Sequence, residues 1–249
     1  MTSSGIEKVS TGIKELDYLI QGGFPLRCNL LLIGPPQVGK RVFGMQFFTS
    51  DLGEDAGVFV STTETAEGIK QGMKSLSWEI EESEKEGLLK FVDCYSKMIG
   101  ISCRDTPSTS RIGSALDLAG IAVSVSKMLS VLWTTRRKVK IVFDSVSSLL
   151  MYSNVSSVIR FLHVFYGRLK TAGAVGLFLL EEGMHDEKVV AALEHLSDGV
   201  IRLEPDETGK YRTIEIRGIV NYRDENLYQI ANSGIVQVSS PVHKRRTVS

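Results

Sequence analysis

The segment Gly34-Pro35-Pro36-Gln37-Val38-Gly39-Lys40 stands between the apolar run Leu30-Leu31-Leu32-Ile33 and a stretch of helical period, Val42 to Thr49. A glycine-framed loop that ends in lysine, entered from a buried strand and left into a helix, restricts the chain to few architectures. The glycines let the backbone wind so that successive N–H groups point inward at an anion. The helix that follows adds the positive end of its dipole. Lys40 would then reach terminal phosphates as a point charge. The competing reading is a glycine-rich turn with Lys40 solvated, and the agreement of strand, spacing and helix favours phosphate. Gly34, Pro35, Pro36, Gln37, Val38, Gly39, Lys40, Arg41 and Val42 are therefore the candidate nucleotide-binding residues.

The rest of the chain repeats this grammar. Short apolar runs, Asn29 to Ile33, Gly57 to Ser61, Leu88 to Asp93, Lys140 to Asp144, Ala174 to Leu180 and Gly199 to Leu203, read as buried strands. Helical periods fill the gaps at Val42 to Thr49, Glu67 to Leu76, Ser114 to Trp133, Val155 to Thr171 and Lys188 to Leu196. This alternation predicts an α/β fold with a mostly parallel sheet flanked by helices. On the segment from Ser114, the face formed by Leu116, Ile121, Val123, Val125, Met128, Leu129 and Leu132 is expected in the core. After Leu203, turn chemistry at Pro205 to Gly209 and alternation over Tyr211 to Arg217 predict an antiparallel hairpin. Ser102 to Gly113 reads as a mobile loop inside the domain. One domain is expected over residues 1–240, followed by a flexible basic tail, 241–249.

Composition narrows the function classes. The 29 basic and 29 acidic residues cancel, which argues against a global field drawing the molecule to DNA or an anionic membrane. The three cysteines, Cys28, Cys94 and Cys103, form no C-x-x-C pair, and the four histidines show no metal spacing. No apolar run approaches a membrane span and the first residues do not read as a signal peptide, so a cytoplasmic protein without membrane insertion is expected.

Two positions modify the phosphate reading. Arg41 follows Lys40, where a serine or threonine would normally ligate magnesium. A cation there either offsets phosphate charge or points along the helix into solvent. Asp144 ends the run Lys140-Ile141-Val142-Phe143 and reads either as a carboxylate that holds magnesium beside the phosphates or as a helix N-cap.

Ser10-Thr11-Gly12-Ile13, Leu16-Asp17, Gly22-Gly23-Phe24-Pro25, the phosphate loop, Gly57 to Ser61, Asp144-Ser145, Asp198 to Leu203 and Ile230 to Ile235 fall in order along the chain. With these landmarks the sequence resembles the KaiC-like branch of the RecA superfamily, in the manner of archaeal single-domain paralogues, from about Val9 to Val238. The resemblance implies a RecA-like core that binds ATP, with magnesium, at the subunit interfaces of a ring, usually a hexamer. It also implies that nucleotide state is coupled to assembly or to a protein partner, and it makes Asp144 the metal-holding carboxylate.

The same resemblance exposes departures. Relatives carry two adjacent glutamates after the second strand, the first polarising the attacking water; here the pair reads Thr63-Glu64, so either Glu64 substitutes, making it with Lys40 the candidate catalytic pair, or the base is absent. Relatives place a lysine and an arginine on the late antiparallel strand, where Gly218 and Val220 stand here, with Arg217 and Arg223 as nearby substitutes. Arg27 stands where relatives tend to have glycine. Glu181 or Glu182 ends a strand where RecA-like proteins sense the γ-phosphate, or is simply solvated.

The leading expectation is thus an ATP-binding regulator with slow or absent hydrolysis and weak coupling to magnesium, self-associating or gripping a protein partner. The alternatives are a working ATPase of the same type and an accessory recombination protein. The latter would bind single-stranded DNA through its loops and Lys244-Arg245-Arg246, which the neutral charge does not favour.

Overall fold

Leu30 and Leu32 face one apolar layer and Leu31 and Ile33 the other, so a continuous apolar run is here a strand covered on both sides. The structure, a computed structural model, describes residues 7–135, 137–219 and 222–239, with the side chains of 222–227 and 237–239 excepted. Val220, the Arg223 side chain and the basic tail lie outside it.

The elements in order are β1 (Lys8–Val9), α1 (Lys14–Leu19), β2 (Phe24–Pro25), β3 (Asn29–Gly34), α2 (Lys40–Thr49), β4 (Ala56–Ser61), α3 (Ala66–Ser75), α4 (Glu81–Lys85), β5 (Leu89–Asp93) and β6 (Thr109–Arg111). Then follow α5 (Leu118–Trp133), β7 (Val139–Asp144), α6 (Val146–Tyr152), α7 (Val155–Thr171), β8 (Val175–Glu181), α8 (Glu187–Leu196), β9 (Gly199–Pro205), β10 (Arg212–Arg217), β11 (Tyr222–Ala231) and β12 (Gly234–Ser239).

β1 and β2 form a small antiparallel pair, while ten strands make one sheet in the order β12-β11-β10-β9-β3-β8-β7-β4-β5-β6. From β9 to β6 the pairing is parallel, and from β9 through β12 it is antiparallel. The six strands expected from apolar runs are all present, and the α/β expectation holds.

α2 is buried almost all round because the sheet lies on one side and the β11–β12 hairpin on the other. Gly44 lets it approach the sheet, since a Cβ there would stand 3.2 Å from Val142 Cγ1. Gln46 locks the far side: its Nε2 donates to the Gly12 and Ile235 carbonyls, and its Oε1 accepts from Ile235 N at 2.6 Å. Asp17 serves the N-terminal landmark, accepting from Ser10 Oγ and Thr11 N.

Two expectations change. The segment Ser102 to Gly113 contains β6, whose residues look polar but pair with β5, so that Thr109 and Arg111 are buried at the sheet edge. In α5, Ile121, Val125, Leu129 and Leu132 are buried as expected, yet Val123, and Leu116 just before the helix, are about half exposed, at 52% and 51%. This segment is apolar on more sides than the core can cover. Arg27 adopts φ +63°, a left-handed backbone that suits glycine.

Cys28 and Cys94 are buried, and burial pushes the Cys28 thiol up to about 12, which makes it an inert packing group. Among the described residues, no helix is long and apolar enough to cross a membrane and no cluster of ligating side chains could hold a metal ion.

Candidate functional site

The order β3-β8-β7-β4 sets the carboxyl ends of four parallel strands side by side, the crevice in which open α/β sheets hold ligands. Register aligns Gly34 with Glu181 and Ser61 with Asp144. Each strand thereby contributes one polar residue to a row: Lys40 just past β3, Glu181 at the end of β8, Asp144 at the end of β7 and Thr63 just past β4.

Two glycines of the loop stand where a side chain would not fit. A Cβ on Gly34 would stand 2.5 Å from the Leu203 carbonyl oxygen, so β9 leaves room only for glycine. Gly39 takes φ +107° to open α2, and a Cβ there would meet Ile230 Cδ1 at 2.7 Å. Ile230 on β11 thus lies against the loop, and Arg212 on β10 braces it, its Nε donating to the Val38 carbonyl at 2.9 Å. Neither Ile230 nor Arg212 was legible as a site residue, because the hairpin reaches the loop only through the sheet order.

Lys40 is 4% exposed and points inside the loop. Its Nζ donates to the carbonyls of Gly34 and Pro35, each at 2.7 Å, and to Glu181 Oε2 at 2.8 Å. Glu181 is itself held in place, its backbone N donating to Ser147 Oγ. Glu182 turns elsewhere, to Arg202 at 3.1 Å.

The Arg41 side chain is 43% exposed, yet its polar end is tied to the site. Its Nε donates to Asp144 Oδ2 at 2.5 Å and its Nη2 to Thr63 Oγ1 at 2.7 Å. Asp144 is buried; burial pushes its carboxyl above the usual carboxylate range, while the Arg41 guanidinium pulls it back. Thr62 fixes the carrier strands, its Oγ1 accepting from Ser145 N and its own N donating to the Asp144 carbonyl.

Gln37, Gly39, Lys40, Arg41, Val42, Asp144, Leu179, Glu181 and Ile230 line a cavity of about 320 Å³. A second one, of about 240 Å³, shares Arg41, Asp144 and Glu181 and is rimmed by Tyr95, Met98, Met151, Tyr152 and Met184. A larger hollow of about 430 Å³ lies between α5 and α7, but its lining is mainly apolar and offers no cradle for phosphate.

Other candidates stand apart. Glu64 turns back to the start of α3, where its Oε1 accepts from Thr65 N at 2.8 Å and from Thr65 Oγ1, and it lines neither cavity of the site. Pro36 is exposed at the loop's tip. Arg217 is exposed and paired with Glu215 on its own strand. Gly218 has φ +96°, and a Cβ there would stand 2.4 Å from the Asp198 carbonyl oxygen, so this backbone resists a longer side chain.

The donor set suits polyphosphate better than magnesium. Lys40 is present inside the loop, but no hydroxyl follows the lysine, and the carboxylate expected to hold the metal already accepts from a guanidinium.

Comparison with known proteins agrees with this geometry. A family model described as "ATPase: KaiC" matches residues 9–241. A UPF0273 protein of Methanopyrus kandleri is 29% identical over 92% of this chain and 91% of its own length. One from Pyrococcus furiosus is 28% identical over 96% and 97%. The crystal structure of a KaiC-like protein from Pyrococcus horikoshii superposes with a TM-score of 0.73, at 22% identity, over 94% of this chain and all of that one.

Proposed function

The chain belongs to the KaiC family of ATPases, and from that premise we propose that it is an ATP-binding regulator in which nucleotide is held firmly and hydrolysed slowly or not at all. The observation that carries the reading is the contrast between an intact cradle and an incomplete catalytic set. The loop, its glycines and Lys40 have the form that phosphate binding needs. Glu64, the candidate base, lines neither cavity of the site, and Arg217 is engaged with Glu215. A missing cationic finger alone typically costs roughly a thousandfold in rate.

Binding that outlasts hydrolysis suits a molecule whose nucleotide state sets its contacts. The second cavity, with Met98, Met151, Tyr152 and Met184 at its rim, adjoins the end of β8 and gives that state an apolar surface to act through. Self-association, with a hexamer as one form, and a protein partner are the readouts proposed. Magnesium is weakly coupled.

Steady-state phosphate release against a parallel binding titration tests the proposal. Stoichiometric ATP binding with release near background is the expected result. Rapid magnesium-dependent turnover abolished by Lys40→Ala would contradict it.

A further inference from the structure

The Arg41 guanidinium sits where the metal of a nucleotide site would be anchored, and we propose that it is a tethered cation that replaces magnesium, so that this pocket takes a nucleoside polyphosphate free of divalent metal. The inference rests on the reading of the Lys40 loop as a nucleotide site and deepens it.

Three observations carry it. The first is position: Arg41 follows Lys40 in the first turn of α2 and lines both cavities of the site, so two cations stand at one helix N-terminus. The second is fixation. Nε and Nη2 are held by Asp144 Oδ2 and Thr63 Oγ1, one residue on each of two neighbouring strand ends, which aims a planar group at the cavity. Two of its five N–H donors are thereby used, and the remaining donors suit phosphate oxygens in a way that a single ammonium cannot match.

The third is charge. Thr63 is a neutral acceptor and Glu64 turns to α3, so among these neighbours Asp144 is the acid paired with Arg41. Lys40 and Arg41 balance Asp144 and Glu181. A dication added beside Arg41 would bring like charges together and compete for Asp144 Oδ2, whereas a metal-free triphosphate brings the negative charge that both cations can meet.

Calorimetric titration with ATP, once in EDTA and once in excess magnesium, tests this on the unaltered protein and on Arg41→Ser, which restores the hydroxyl. The unaltered protein should bind with affinities within about threefold in the two buffers. Arg41→Ser should lose about tenfold or more in EDTA and recover in magnesium. Binding by the unaltered protein in magnesium alone overturns the inference and leaves the nucleotide reading standing. So does Arg41→Ser binding in EDTA as tightly as the unaltered chain. Absence of binding in both buffers overturns the nucleotide reading itself, and the inference with it.

Discussion

Glu181 Oε2 lies 2.8 Å from Lys40 Nζ, so the cation that phosphate requires is paired with an acid from the adjacent strand. Incoming phosphate has to compete with that carboxylate for Lys40, and a second anion beside the site raises the cost. Glu181→Gln keeps the shape and removes the charge. ATP affinity should rise by about tenfold, read by titration of a fluorescent nucleotide. Unchanged or weaker affinity would mean that Glu181 assists nucleotide rather than competing with it.

Glu64 accepts from Thr65 N and Thr65 Oγ1 at the start of α3. Its service there is local and does not touch the cavity. Glu64→Gln should therefore leave phosphate release within about twofold of the unaltered chain, since loss of a true general base costs about a hundredfold or more. A hundredfold fall would make Glu64 the base after all.

Asp93, fully buried at the end of β5, anchors the turn that leads from Thr63 into α3. Burial alone would raise its pKa, but hydrogen bonds from Ala66 N, Ser96 Oγ, Ser96 N and Tyr95 N outweigh it and leave the carboxyl below its usual range. A depressed carboxylate stabilises the fold above its unfolded pKa of about 4 and loses that contribution as pH falls through the lower folded value. The melting temperature should fall in that acid window. Asp93→Asn, which puts an amide among four donors, should cost about 3 kcal/mol at neutral pH and flatten the acid fall. An unaltered melting curve in the variant would count against this anchor.

Gly218 holds a left-handed backbone against the Asp198 carbonyl. Gly218→Lys should cost about 1–3 kcal/mol of stability in denaturant unfolding. It should bring no gain in phosphate release. A stable, faster Gly218→Lys variant would show that the strand end accommodates a finger.

Much of this was legible in the sequence, and the reasons are local. The run Leu30 to Ile33 is apolar without interruption, which a strand covered on both sides explains. The phosphate loop announced itself by glycine spacing. β1, β2, α1, α4, α6 and β6 did not, since two to seven residues carry too little period to stand out.

The partner of Arg41 was hidden for a different reason. Asp144 lies 103 residues away, and only the order β8-β7-β4 beside β3 brings the two together. Sequence therefore left Arg41 between phosphate and solvent, whereas the fold gives it Asp144 and Thr63. Leu116 and Val123 mark the opposite failure, in which apolar character was read as burial.

The central claim is that the amides around Lys40 form an anion pocket for a nucleoside triphosphate. Equilibrium titration of the folded protein with ATP, alongside Lys40→Met, addresses it most directly. Saturable binding at one site per chain, weakened roughly tenfold to a hundredfold by the substitution, is the predicted result. A folded protein that takes up no ATP at millimolar concentration would contradict it.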